Sequence, residues 1–223
     1  MQMTRPPSLM EVYERLYDHF GARHWWPAES PFEVCVGTIL TQNTAWTNVE
    51  KAIAALRLND CLTPEAVWKI APEQLAVLIR PAGYFNVKSR RLKDFVDWLF
   101  RYHAGSLEGM FAGDWQELRA ELLHVRGIGP ETADSILLYA GGRPSFVVDA
   151  YTRRLFRRLG LLAESAGYDG TRSLFMETLP ADVQLFNEYH ALIVEQCKQF
   201  CRTKPVCNGC PLQEVCLTGR AQQ

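Results

Sequence analysis

The sequence predicts an all-α fold, and three observations carry that reading. Apolar residues recur at three- and four-residue intervals, as in Leu9, Val12, Tyr13, Leu16, Tyr17 and Phe20. Helix-start signals precede several such segments. Ser8-Leu-Met-Glu11 and Asp114-Trp-Gln-Glu117 have the form of capping boxes, and Thr63-Pro64 joins a cap to a proline at the first helical position. Glycines at 83, 105, 109, 113, 127, 129, 141, 142, 160 and 167 punctuate the joins.

Taken in order, the first helix follows Ser8. Residues 31–41 open with Pro31 and carry Phe32, Val34, Cys35, Val36, Ile39 and Leu40, a run that fits a helix or a buried strand, although no partner strand is evident. Helices are expected over 44–57, 64–70, 72–80, 86–103, 115–124, 130–140, 150–160, 170–179 and 181–200. No internal repeat or low-complexity linker interrupts them.

The chain of 223 residues, 48% hydrophobic and 22% charged, has the balance of one large globular domain or two small ones, not of a disordered chain. No apolar run approaches the ~18 residues of a membrane helix. The start, Met1-Gln-Met-Thr-Arg-Pro-Pro7, lacks the apolar stretch of a cleaved signal. There are seven cysteines, an odd number, and Cys197, Cys201, Cys207, Cys210 and Cys216 crowd the end of the chain. That pattern argues against a secreted disulfide framework and for a metal site in a reducing cytoplasm. The expected location is therefore cytoplasmic, nucleoid-associated in a bacterium, with no membrane partner.

A net charge of −1 does not advertise a nucleic-acid binder. Arg119, Arg126, Arg143, Arg153, Arg154, Arg157 and Arg158 nevertheless outnumber the acids Glu121, Glu131, Asp134 and Asp149 in the same stretch, and local charge is what meets phosphate.

Three motifs carry chemistry. Cys201-x5-Cys207-x2-Cys210-x5-Cys216 can wrap one metal centre; tetrahedral sulfur suits an iron–sulfur cluster or zinc, and spacing alone does not choose. Cys197 reads as a buried spare, and Cys35 and Cys61 as core residues. Such a cluster could simply fold the loop Arg202–Val206 and present Arg202 and Lys204 to phosphate. Next, Leu122-Leu-His-Val-Arg-Gly127-Ile-Gly129-Pro130 is a helix, a tight turn and a helix begun by proline. It is equally a plain helical hairpin or a backbone-amide site for one phosphate. Finally, Phe146-Val-Val-Asp149 runs into Ala-Tyr-Thr-Arg153-Arg154. Asp149 reads as an N-cap, or as a partly buried carboxylate that stabilises positive charge on a sugar during glycosidic cleavage.

The order hairpin, Gly-Ile-Gly, Val-Val-Asp and four-cysteine loop resembles the helix-hairpin-helix DNA glycosylases related to endonuclease III, over about residues 30 to 216. Thr38-Ile-Leu-Thr-Gln42-Asn43-Thr44 resembles the family segment whose glutamine enters the DNA stack. Ala82-Gly83-Tyr-Phe-Asn86-Val-Lys88 and Phe186-Asn-Glu-Tyr-His190 are similar to family segments as well. The resemblance implies a [4Fe-4S] cluster on Cys201, Cys207, Cys210 and Cys216, although the first interval is one residue shorter than the commonest pattern. It also implies two lobes: a six-helix domain over 30–142, and a cluster domain of 1–29 with 143–223, the DNA cleft between them. Phosphate contacts are expected from Gly127, Gly129, Lys88, Arg153 and Arg202, with Asp149 catalytic, and the partner is double-stranded DNA carrying a damaged base, bound by a monomer.

One departure decides the reaction type. Members that also cleave the strand carry a lysine two residues after the second hairpin glycine, where its amine forms a Schiff base with the sugar. Glu131 stands there instead. A glycosylase without lyase activity follows, with water as the nucleophile. His24-Trp25-Trp26-Pro27 and Trp46 offer aromatic rings for a flipped base. The tandem tryptophans, and an aromatic after Gln-Asn-Thr, resemble the 3-methyladenine-excising branch; a cationic alkylated purine suits such a pocket. The four-cysteine loop departs from that branch. A mismatch or uracil glycosylase is the same-class alternative, and a DNA-binding iron–sulfur protein that cleaves nothing is the different-class one.

Overall fold

The computed structural model describes residues 5–26 and 28–221. Residues 1–4, part of the segment read above for a leader, and Pro27 of the tandem-tryptophan segment lie outside the described residues. Every regular element among the described residues is helical. In chain order these are α1 (Leu9–Phe20), α2 (Pro31–Thr41), α3 (Trp46–Leu58), α4 (Pro64–Lys69), α5 (Pro72–Leu78), a 3₁₀ turn (Arg80–Ala82), α6 (Phe85–His103), α7 (Leu107–Phe111), α8 (Trp115–His124) and α9 (Pro130–Ser135). A π turn (Ile136–Ala140) continues α9, and α10 (Ala150–Leu159), α11 (Tyr168–Thr178), α12 (Val183–Gln199) and α13 (Leu217–Arg220) follow.

The chain divides into two compact units, one of residues 1–25 and 144–223 and one of residues 26–143. In the second, α2 is the centre: Phe32 to Leu40 are buried without a break, which is why the run has no polar face and reads as ambiguously as a strand. Ser30 decides for helix, accepting from the Glu33 amide at 3.2 Å, with Pro31 in the first turn. Around α2 pack Val49, Ile53 and Leu56 of α3, Leu92, Phe95 and Leu99 of α6, and Leu122 and Ile136. In the first unit an aromatic core forms. Phe146 stacks on Phe175 with centroids 3.9 Å apart, Phe156 meets Phe175 edge-on at 4.8 Å, and the buried Tyr189 hydroxyl donates to the Leu9 carbonyl at 2.6 Å, tying α12 to α1.

Local signals place most helix starts. The Ser8–Glu11 capping box is reciprocal, and Asp114 accepts from the amides of Gln116 and Glu117 at 2.9 and 3.0 Å. Some boundaries move. The expected helix over 72–80 stops at Leu78, and a 3₁₀ turn holding Pro81 follows, because proline removes a donor. Gly109 lies inside α7, begun by the Ser106 cap, not at a join, and α7 and α13 are too short to show a period in the sequence.

Candidate nucleic-acid interface, carboxylate site and cysteine loop

The helical hairpin is held from beneath. Arg119 of α8 forks onto the fully buried Asp134 of α9, Nε to Oδ1 at 2.8 Å and Nη2 to Oδ2 at 3.0 Å. Val125 and Ile128 fill the turn from inside. The two glycines are there for different reasons. Gly127 has φ +87°, and a Cβ there would strike the Arg91 side chain, so the chain itself demands glycine. Gly129 has an ordinary φ of −94°, and a Cβ there would meet nothing within 4 Å. Nothing inside the protein requires glycine at 129, at the first turn of α9.

Gln42 leaves the end of α2 and binds the hairpin. Its Nε2 donates to the Gly127 carbonyl at 3.1 Å and to Thr132 Oγ1 at 2.9 Å, and its Oε1 accepts from Arg91. The loop after it is fastened to the 80–84 loop, the Thr44 hydroxyl donating to the Ala82 carbonyl at 2.5 Å. Lys88 corrects an expectation. It is 1% exposed, and its ammonium donates inward to the carbonyls of Leu40 and Ala82, each at 2.8 Å, and to Thr44 Oγ1 at 2.5 Å. A charge so enclosed does not reach a phosphate. Burial, with Arg91 adding repulsion, pulls its pKa down to about 8. The sequence reading passed over Tyr84, which stands 72% exposed with a left-handed backbone, φ +45°. A bulky side chain in that conformation marks a functional candidate; its position after Gly83 was the available signal.

Of the three expected stacking tryptophans, the structure brings two together within the second unit. Trp26 meets Trp46 edge-on at 4.9 Å and Tyr139 at 5.1 Å. Two backbone features make this possible. Gly37, inside α2, leaves the space that Trp26 fills, since a Cβ there would lie 3.2 Å from the indole. The π turn, closed by the Gly141 amide on the Ile136 carbonyl at 3.0 Å, carries Tyr139. Trp25 falls in the first unit, where the Lys198 ammonium lies 5.7 Å from its ring centroid.

Asp149 is the N-cap of α10, Oδ1 accepting from the Thr152 amide at 2.7 Å and from Thr152 Oγ1 at 2.9 Å. Its other oxygen faces His190 of α12, Nε2 to Oδ2 at 3.6 Å. Burial pushes the carboxyl up, but the hydrogen bond and charge of His190, together with the Thr152 donors, outweigh it and leave the pKa below the ordinary value. The structure thus shows the cap, and beside it a carboxylate only 15% exposed whose pKa is lowered. Sequence separation hid His190.

Beyond Asp149, α10 carries arginines with separate duties. Arg157 binds the Glu164 carbonyl at 2.6 Å, Arg154 binds the Cys201 carbonyl at 2.8 Å, and Arg158 binds Cys201 Sγ at 3.2 Å and the Thr203 carbonyl at 2.9 Å. With them Arg153 lines a groove. Arg202 is exposed, with Nε on the Lys198 carbonyl at 2.9 Å. Cys201, Cys207, Cys210 and Cys216 all line a single cavity, into which Gln196 also faces, its Nε2 donating to Cys210 Sγ at 3.0 Å. Cys197 is buried beside Cys201, and its hydrogen bond is the largest cause holding that thiol down to about 6, Arg158 and Arg154 adding to it. Among the described residues no three His, Cys, Asp or Glu side chains converge on a single ion. No helix among them is long and apolar enough to cross a membrane.

Comparison with known proteins identifies the family. Residues 36–181 match the HhH-GPD superfamily base excision DNA repair protein family. A Methanocaldococcus jannaschii protein named as a DNA repair glycosylase is 49% identical over 98% of this chain and 100% of its own length. Endonuclease III of Sulfolobus acidocaldarius is 30% identical over 83% of this chain and 81% of its own. Among solved structures, the H. pylori 3-methyladenine DNA glycosylase MagIII bound to 1,N6-ethenoadenine superposes with a TM-score of 0.72 at 29% identity, over 85% of this chain and 96% of that one. A trapped endonuclease III–DNA covalent intermediate superposes with a TM-score of 0.84 over 99% of both chains at 21% identity, a likeness of fold. The chain belongs to the HhH-GPD superfamily of base excision DNA repair proteins.

Proposed function

We propose that this base excision repair glycosylase is monofunctional: it flips a damaged base from duplex DNA and releases it by water attack, leaving an abasic strand uncut. For base release the observation that carries the reading is Asp149; for the missing strand cleavage it is Glu131. A carboxylate held ionised in a largely buried cup contributes little to a neutral ground state and much to a sugar gaining oxocarbenium character. His190 beside it favours that charge, and the Thr152 cap fixes its direction. Glu131, exposed in the first turn of α9, supplies no amine for a Schiff base.

The Trp26–Trp46 pair, with Tyr139, supports an electron-poor base as substrate, and an alkylated purine fits that description; MagIII, with its bound 1,N6-ethenoadenine, is a relative of that kind. Duplex contact is assigned to Gly127, Gly129, Gln42, Arg153 and Arg202, and base contact to Trp25, Trp26 and Trp46. For the cofactor, four cysteines lining one cavity offer all-sulfur ligation, and the likeness to endonuclease III supports a [4Fe-4S] cluster there. Cys201, Cys207, Cys210 and Cys216 would hold it, and the cluster would order the Arg202–Val206 loop. The proposed division, a hairpin domain over 30–142 and a cluster domain of 1–29 with 143–223, differs from the two compact units only at residues 26–29 and 143, and the protein acts as a monomer.

The test is base release from a panel of lesion duplexes, followed by borohydride. Release of an alkylated purine, no trapped adduct, and strands cut only after alkali are expected. Trapping by the wild-type protein would overturn the monofunctional assignment, and release of uracil or a mismatched thymine alone would move the substrate to the mismatch class.

A further inference from the structure

Lys88 is a buried cation that the reaction scheme does not use. Its ammonium has three N–H groups and three acceptors from separate pieces of chain: Leu40 at the end of α2, Thr44 in the loop after Gln42, and Ala82 in the loop before Tyr84. Thr44 closes the triangle by accepting from Lys88 and donating to Ala82. A lysine deep in a protein is costly unless every donor is used, so full use here makes the two loops one rigid piece. Each loop also carries a residue suited to enter a base stack. Gln42 has a planar amide, which binds the hairpin and Arg91 in the free protein and must leave those bonds to enter a stack, and Tyr84 is an exposed ring on a left-handed backbone. Asn43, beside Gln42, is left-handed too, with φ +54°.

We propose that Lys88 is a positioning residue that locks the Gln42 and Tyr84 loops together, so that both side chains enter the duplex as one unit at the gap left by the flipped base. This rests on the duplex-binding part of the reading above. Lys88 touches neither base nor phosphate. It sets the spacing between two side chains that do.

A double-mutant cycle tests this. The probe is a duplex with a tetrahydrofuran abasic analogue opposite 2-aminopurine, whose fluorescence changes when a side chain enters the stack beside it. Lys88→Met keeps the bulk and removes all three donors. Thr44→Val is the milder variant: it removes the bridge and leaves the Lys88 bonds to the two carbonyls. In the wild-type background, Lys88→Met should lose about tenfold in affinity for the abasic duplex relative to undamaged duplex, and Thr44→Val a smaller part of that. Both should reduce the fluorescence change. In a Gln42→Ala/Tyr84→Ala background neither substitution should cost anything further. Equal losses in both backgrounds would mean general damage to the fold and would overturn the proposal. Wild-type binding and fluorescence in Lys88→Met would overturn it as well; if that variant does not fold, unaltered behaviour of Thr44→Val decides against it. Base release, measured separately, decides the glycosylase reading: wild-type protein that shifts the fluorescence but frees no base fails that reading and not this one.

Discussion

His190 Nε2 lies 3.6 Å from Asp149 Oδ2, across 41 residues of sequence, and it bears on the side of the carboxylate that the helix cap leaves unused. The cap fixes one oxygen, and His190 with the Thr152 donors lowers the carboxyl's pKa against the opposing effect of burial.

Asp149→Asn keeps the Oδ1 cap and removes the charge. Lesion binding should persist while single-turnover base release falls by roughly 10²-fold or more. His190→Ala should produce a smaller fall and raise the Asp149 pKa, moving the acid limb of the pH–rate profile upward. The stability sign follows from the lowered carboxyl: its contribution is present above the ordinary carboxylate pKa and is lost as pH falls through the folded value. Undiminished release by Asp149→Asn would remove its catalytic role.

The two hairpin glycines should separate when substituted. Gly129→Ala meets open space and an ordinary φ, so its melting temperature should match the wild type, while affinity for all duplexes drops by about tenfold at low salt because the methyl blocks backbone approach to phosphate. Gly127→Ala should melt earlier, from its left-handed φ and the Arg91 side chain. Unchanged duplex affinity in Gly129→Ala would exclude the turn as a contact.

Protein purified without oxygen should be brown and carry iron, with sulfur-to-iron absorbance in the visible range. Cys207→Ser or Cys210→Ser should lose iron and loosen the C-terminal loop. Cys197→Ser, outside the four-sulfur cavity, should retain the iron. Stoichiometric zinc without iron would contradict the cluster.

Trp46→Ala should cost roughly 1–3 kcal/mol in binding the damaged base and little against undamaged duplex. Gly37→Ala, which crowds the Trp26 indole by a few tenths of an ångström, should shift the same discrimination by a smaller amount. A uniform loss with a lowered melting temperature would mark Trp46 as core.

Lys88 should leave a signature in stability against pH. Its pKa is about 8 in the folded chain against an ordinary 10.5, so between those values the unfolded chain binds more protons. Stability of the wild type relative to Lys88→Met should therefore rise with pH across that window. A difference that falls instead would show that the ammonium is not titrated in the folded protein below its ordinary value.

Local chemistry was legible in the sequence alone. Ser8 with Glu11, Asp114 ahead of α8, and Asp149 ahead of α10 are caps because a short polar side chain reaches an amide two or three residues on, whatever the rest of the fold does. The hairpin and the cysteine spacing are likewise written within a few residues, and the family resemblance rests on them. What tertiary structure decided is where longer side chains end. Lys88 sits in a run that reads as a surface phosphate contact, yet a four-carbon stem lets its ammonium turn inward once Leu40, Thr44 and Ala82 offer three acceptors. His190 reaches Asp149, and Gly37 makes room for Trp26, only after helices distant in sequence have packed. The buried run 31–41 could not choose between strand and helix by its own pattern, because a segment covered on all sides has no polar face to reveal its period.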